Sequence, residues 1–345
     1  MNLLIFEYFC GGGRSNYTLN DNLIQEARAL LSQLLIDFAK LKEFNITTSL
    51  DIRAIKKLDK RAIQNKFPAQ NRVFIKKPKK DLELFTSLLD YQQHDAALII
   101  APETNDILAN LTALAENKGL IILGPNSNTI KILGDKWFSY LLFKQNNISQ
   151  PKTYLLKNNT PTEIKELIKK EQLSFPLCLK PRDGFASEIL YLNSWDNHKS
   201  FSPYLERNLI LQEFITGSTA SISLLKNSQQ TTFLSLNLQK TNENFSYIGG
   251  EIGVTHPLKK QIVTQLNNTL TSFSGLKGYL GVDLILKEEN FFFLEVNPRL
   301  TSSYIGLTAA LKEYNLAQLI VDASLDRTLP QNLKVDNLKF NLKKR

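Results

Sequence analysis

The stretch from Leu280 to Arg299 constrains the fold of this chain more than any other. Two apolar runs, Leu280-Gly281-Val282-Asp283-Leu284-Ile285-Leu286 and Phe291-Phe292-Phe293-Leu294-Glu295-Val296-Asn297, flank the polar Lys287-Glu288-Glu289-Asn290. β-Branched, aliphatic and aromatic runs around a short polar break predict a β-hairpin. A three-residue loop Glu288-Glu289-Asn290, with Asn290 near the left-handed region, pairs Lys287 with Phe291 and sets Asp283 opposite Glu295. Side chains alternate along a strand, so Glu295 and Asn297 share one face and Leu294 and Val296 the other. Asp283, Glu295 and Asn297 then converge as oxygen donors. Two carboxylates on one apolar sheet face repel each other and resist desolvation unless a cation lies between them. A hard divalent ion, Mg2+ (or Mn2+), suits such ligands and shares them with phosphates. Pro298 ends the strand, and Arg299 at the same mouth can hold an anion through paired hydrogen bonds. The plainer alternative is a hairpin with charges on a solvated face.

A chain of 345 residues can build two or three packed domains, and 43% apolar residues fit a globular protein. Only Cys10 and Cys178 occur, so neither a disulfide framework nor a zinc cluster is expected, and a reducing cytoplasm fits. Met1 to Phe9 is interrupted by Glu7 and lacks a basic leader, so it reads as a strand and not a signal peptide. No apolar run reaches the ~20 residues of a membrane helix, so no membrane partner is expected. The net charge of +9 and the run Lys76-Lys77-Pro78-Lys79-Lys80 raise a nucleic-acid reading. Basic residues are spread thinly with few interleaved aromatics, which favours a solvated basic loop and argues against nucleic acid.

In chain order, the first third alternates strands and helices. Strands are expected at 3–9, 44–48, 73–75, 96–100 and 120–123, and helices at 23–38, 81–91 and 104–118, hence a mostly parallel sheet covered by helices. Glu7, Gly11-Gly12-Gly13 and Pro102-Glu103-Thr104 would line the ligand crevice at the strands' carboxyl ends. The third glycine of a dinucleotide fingerprint is absent, so a turn or a loop approaching a substrate is favoured. Next come Asp135-Lys136 in a helix capped by Asn126 or Ser127, a strand at 153–156 and a helix at 162–170. Lys180 ends the apolar strand 175–180, and two lysines reaching one site suit polyphosphate. In Leu209 to Gly217, Glu213 can accept from an exocyclic amine and the Glu213 and Ile215 backbone can read an adenine edge; alternatively Glu213 faces solvent on an edge strand. Residues 218–240 read as a half-exposed hairpin, and Tyr247-Ile248-Gly249-Gly250-Glu251 as a mobile loop or hairpin tip.

The ordered set Asp135-Lys136, Leu179-Lys180-Pro181-Arg182-Asp183-Gly184, Gln212 to Gly217, Gly281-Val282-Asp283 and Glu295-Val296-Asn297-Pro298-Arg299 resembles the ATP-grasp superfamily over nearly the whole chain. The resemblance implies an α/β fold, α+β in the ATP-binding part. Its parts are a Rossmann-like domain at 1–125, a linker helix and lid at 126–215, and a carboxyl-terminal ATP-grasp subdomain with the metal site at 216–330. A basic tail follows at 331–345. It further implies that Lys136 and Lys180 bind ATP phosphates, that Gln212, Glu213, Phe214 and Ile215 hold the adenine, and that Asp283, Glu295 and Asn297 ligate Mg2+. Arg299 would steady the phosphoryl group and the acyl intermediate. The phosphate loop at 184–187 has fewer glycines than many members, and Thr219 stands where many place a ribose-binding acid.

The start Phe6-Glu7-Tyr8-Phe9-Cys10-Gly11-Gly12-Gly13, with Ile100 to Thr104 and Tyr247 to Gly250, is similar to the tyramine–glutamate ligases of methanofuran-type cofactor synthesis. An ADP-forming carboxylate–amine ligase working through an acylphosphate follows from that likeness, with small-molecule partners and room for a homodimer. Glu7, Gly11, Gly12, Gly13, Tyr247, Gly249 and Gly250 are expected on the acceptor side, with Arg14 or Arg299 on a substrate carboxylate and an acid such as Glu7 or Glu103 on an ammonium. A dipeptide or D-alanine-type ligase and a non-catalytic ATP sensor are the alternatives. The three histidines, His94, His198 and His256, share no motif.

Overall fold

The run Leu3-Leu4-Ile5-Phe6 is buried on both faces, as a central strand of a helix-covered parallel sheet must be. It forms the middle of β1 (Asn2–Glu7) in a computed structural model, described over residues 1–13, 21–51, 53, 72–76, 82–183, 189–195, 207–241, 247–271 and 273–342. β2 (Asn45–Asp51), β3 (Arg72–Lys76), β4 (Ala96–Ile100) and β5 (Ile121–Ile122) complete a parallel sheet in the order β3-β2-β1-β4-β5. Helices α1 (Asp21–Phe38), α2 (Leu82–Tyr91) and α3 (Ile107–Asn117) accompany it, and Ala27, Leu30, Leu31, Leu34, Leu35 and Phe38 are the buried stripe of α1. The strand order reverses between β1 and β4, which opens a crevice beyond Glu7 and Ile100.

Asn126 and Asp135 accept from the backbone N–H groups of Thr129 and Trp137, capping α4 (Ser127–Leu133) and α5 (Lys136–Gln145). The second sheet is antiparallel, in the order β6 (Thr153–Leu155), β9 (Leu209–Glu213), β7 (Leu177–Pro181), β8 (Leu190–Leu192). It shares its own small core with α6 (Pro161–Lys170). β9 lies inside this sheet, which corrects the edge-strand alternative for Glu213.

The third sheet runs β14 (Phe291–Asn297), β13 (Gly278–Leu286), β10 (Ser218–Lys226), β11 (Thr231–Thr241), β12 (Tyr247–Ile252), β15 (Leu338–Asn341). One face packs Ile222, Leu236 and Val282 against Phe143 of α5 and Ile262 of α7 (Lys259–Leu270). The other meets α8 (Ser303–Ala310) and α9 (Leu316–Ser324), whose Tyr304, Leu307 and Ile320 continue into the core of the first sheet.

Four expectations change here. Residues 218–226 are buried from Ala220 onward, because β10 is central and covered on both sides, not half-exposed. Tyr247–Ile252 is a paired strand and not a loop tip. Leu338–Asn341, within the stretch read as a tail, pairs antiparallel with β12. The hairpin turn is also tighter than expected: Leu286 pairs with Phe291, and Asn290 does not have a positive φ. The spare residue is taken up by a bulge between Asp283 and Leu284, opposite Leu294. Phe293 N–H leaves the ladder there to donate to the carbonyl of Ser149 at 3.0 Å. Asp283 still faces Glu295, but the extra residue flips the alternation, so Phe291, Phe293 and Val296 are the core side chains and Leu294 is only half-buried.

Candidate active site

The bulge leaves Asp283 and Glu295 in register, with Asn297 next along the strand. Asp283 accepts from Asn297 Nδ2 at 3.0 Å on one oxygen and from Gln239 Nε2 at 2.9 Å on the other. Burial, then the charge of Glu295, pushes the Asp283 carboxyl up to about 6. Glu295 is paired with Lys136 Nζ at 2.8 Å. Burial opposes its ionisation, but Lys136, then Lys180 and Arg299, hold its pKa below the ordinary carboxylate range. Lys136 is brought here by the start of α5, where its backbone N–H also donates to Arg182 O at 2.8 Å. Burial likewise works against its charge, and the Glu295 contact outweighs it, so its pKa rises.

Lys180, near the end of β7, is buried and donates to Gln212 Oε1 at 2.7 Å, while Gln212 donates to Thr153 Oγ1 at 2.9 Å. Burial lowers the Lys180 pKa, and the charges of Glu295, Lys136 and Asp283 reach it, so both lysines share one neighbourhood. Glu213 is held by Lys152, whose backbone N–H donates to it at 3.2 Å. Phe214 is exposed with its ring edge-on to Tyr191, and Ile215 is half-buried beside it.

Arg299 turns toward the first sheet. Its Nε donates to Glu103 Oε1 at 2.8 Å, just past β4 at the crevice. Burial opposes the charge, but Glu103, then Glu26 and Asp283, hold its pKa above the ordinary value. The crevice therefore opens onto the hairpin. Glu7 is 2% exposed and turned inward, accepting from the Cys10 backbone at 2.7 Å. Burial pushes it up to about 7. Gly11, Gly12 and Gly13 are packed beneath it: Gly12 has φ +94, and a Cβ on Gly11 would meet Glu7 O at 2.1 Å. Tyr247 lies against its own strand, with its hydroxyl 3.2 Å from where a Cβ of Gly250 would sit. Gly249, φ +142, lets β15 approach there, since a Cβ would meet Phe340 O at 2.3 Å.

The hairpin, both lysines, Gln212 and Arg299 are thus brought together, whereas Glu7 and the glycines are built into the crevice wall. His256 is a turn residue, its Nδ1 accepting from Leu258 N–H. Arg14, His198, the loop 184–187 and the lysines of 77–80 lie outside the described residues. Sequence reasoning missed Gln239, although alternation along β11 would have placed it near Asp283, and it missed Glu26. Among the described residues no group of three His, Cys, Asp or Glu could hold a metal; the hairpin offers two carboxylates and an amide. Oxygen donors with neighbouring cations suit a hard divalent ion that also touches phosphate. No helix among the described residues is long and apolar enough to cross a membrane.

Known proteins are similar to this chain over nearly its whole length. Residues 133–303 match an ATP-grasp domain and residues 52–130 a pre ATP-grasp 3 domain. The chain is 30% identical over 349 residues to a tyramine–L-glutamate ligase of Methanocaldococcus fervens, covering 99% of this chain and 100% of that one. It is 29% identical over 345 residues to the Methanocaldococcus jannaschii tyramine–L-glutamate ligase, covering 99% and 94%. An ATP-grasp superfamily protein from Archaeoglobus fulgidus superposes with a TM-score of 0.69 at 21% identity, over 99% of each chain. Matched over its full length by two ligases and over residues 133–303 by the ATP-grasp domain, the chain is a member of the ATP-grasp family, an ATP-dependent carbon–nitrogen ligase that joins a carboxylate to an amine.

Proposed function

We propose that the reaction is ADP-forming and joins L-glutamate to a primary amine such as tyramine. The convergence of Asp283, Glu295, Asn297, Lys136, Lys180 and Arg299 carries this reading, and the likeness to two tyramine–L-glutamate ligases supports the substrate choice. The proposed division is a crevice domain at 1–125, a linker and lid at 126–215 and the metal-bearing part from 216 onward.

Asp283, Glu295 and Asn297 would hold Mg2+ (or Mn2+), which when bound neutralises phosphate charge. Lys136 and Lys180 place ammonium groups on ATP phosphate oxygens, and Gln212, Glu213, Phe214 and Ile215 hold the adenine. A carboxylate is a poor electrophile at neutral pH. Taking the γ-phosphoryl group of ATP turns it into an acylphosphate and releases ADP. The amine nitrogen then attacks the acyl carbon, the C–O bond to phosphate breaks, and the nitrogen loses a proton. The side chains make no covalent bond; they position the reactants and neutralise charge, with Arg299 beside the acyl phosphate. Tyr247, Gly249 and Gly250 border the acceptor side, and Glu7 with Gly11, Gly12 and Gly13 shapes its wall.

ATP-dependent phosphate release with L-glutamate and tyramine tests the proposal. Glu295→Gln and Asp283→Asn should each lower turnover by about a hundredfold or more while the protein stays folded. Wild-type rates in either variant at limiting Mg2+ would remove the hairpin from the chemistry. Tight ATP binding with no turnover on any amino-acid and amine pair would make the chain a sensor.

A further inference from the structure

The reaction as described leaves one carboxylate of the cleft unused. Glu26 lies on α1, half-buried, and accepts a hydrogen bond from Ser302 Oγ just before α8. Its charge reaches Arg299, Glu7 and the Tyr247 phenol. Tyr247 lies beside Ser303, whose Oγ is 3.3 Å from Ser221 Oγ, and Asn237 Nδ2 is 3.5 Å from the Ser221 oxygen. A polar row therefore runs from α1 under α8 to the strand beside Asp283.

Acceptors outnumber donors along this row. Asn237 is 1% exposed, and its Nδ2 also donates to Ser223 Oγ at 3.1 Å. Its Oδ1 meets no donor among the described residues. Arg299 is the neighbouring cation, but it is engaged by Glu103 at 2.8 Å and by Leu300 O at 3.2 Å. An ammonium group brings a positive charge and three donors and carries no acceptor, which is the complement of this surface.

We infer that Glu26, flanked by Ser302 and Tyr247, binds the aliphatic ammonium group of a ligase substrate. The inference rests on the amino-acid and amine reading of the cleft. The ammonium belongs either to the amino acid whose carboxyl is activated or to the incoming amine, and each has its own arm in the test.

Steady-state kinetics of wild type, Glu26→Gln and Ser302→Ala with L-glutamate and tyramine provide that test, with melting curves as the control for folding. Glutarate, which is glutamate without its ammonium, and 4-ethylphenol, which is tyramine without its own, serve as competitors. Glu26→Gln should raise the KM of one substrate by about tenfold or more and leave that of ATP within about twofold. It should also erase the advantage of that substrate over its deaminated analogue, and the substrate that shifts names the source of the ammonium. Ser302→Ala should move the same KM in the same direction, by less. Unchanged KM values for both substrates, or a rise shared with ATP, would overturn the inference and leave Glu26 as a tie between α1 and α8. If wild type releases no phosphate with this pair, the substrate choice above fails by itself. Glu26 is then judged on whichever pair an amino-acid and amine panel reveals, and substrates without an ammonium would overturn it.

Discussion

Lys136 and Glu295 sit 2.8 Å apart with side chains only 12% and 18% exposed, so removing either leaves the other charged and largely shielded from water. Lys136→Met should therefore lower stability by on the order of 3 kcal/mol, and adding Glu295→Gln should restore most of it, as read from urea unfolding. Equal losses in the single and double variants would mean that the two charges do not depend on each other. Glu7 carries a pH signature. Its pKa in the fold, about 7, lies above the ordinary 4.5, so the folded chain holds its proton more tightly than the unfolded one. That contribution is full below about pH 4.5 and is lost as pH rises through about 7, a change of up to about 3 kcal/mol. Glu7→Gln keeps an acceptor for the Cys10 amide and cannot ionise. Its unfolding midpoint should consequently fall less than that of wild type between pH 5 and 8, and parallel curves would refute the assignment.

At the scale of elements, the β14 bulge decides which way Glu295 points. Deleting Leu294 removes the bulge but keeps Phe291, Phe293 and Val296 inward and Glu295 outward opposite Asp283, so phosphate release should persist with Tm lowered by no more than several degrees. Lost turnover in a folded variant would mean that the bulge itself, and not only the outward direction of Glu295, is needed by the site. The hairpin was legible in the sequence because apolar runs and a polar break encode it locally, but its Asp283–Glu295 pairing was reached from a turn one residue too long, an error that the bulge cancels. The bulge was not legible, since the Ser149 carbonyl that draws Phe293 N–H out of the ladder belongs to a distant loop. The strands and helices of the first sheet were readable within a few residues for the same local reason. Alternation along 218–226 misled, because Ser221 and Ser223 are buried beneath α8 and bonded to other hydroxyls and to Asn237, not to water. Likewise, nothing local in Tyr247-Ile248-Gly249-Gly250 announces a strand whose second neighbour is Leu338–Asn341. The inward turn of Glu7 escaped the sequence as well, since it depends on the amide of a turn that forms only at the carboxyl end of the finished sheet.

Across the whole molecule, Arg299 and Glu103 join the mouth of the hairpin to the crevice of the parallel sheet, with side chains 21% and 14% exposed. A double-mutant cycle on Arg299→Met and Glu103→Gln should show a coupling of on the order of 1–3 kcal/mol in urea unfolding, and additive effects would remove the tie. The α8 and α9 core is shared between the same two sheets, so local damage at either should be felt by the other. This joint also sets the grain along which such a protein can be recombined. In a chimera that takes its first 125 residues from a relative, the graft must carry an acid able to meet Arg299 where Glu103 now stands. Without it, the borrowed crevice would face an arginine that has lost its bonded partner, and the two halves would arrive as parts cut from different joints.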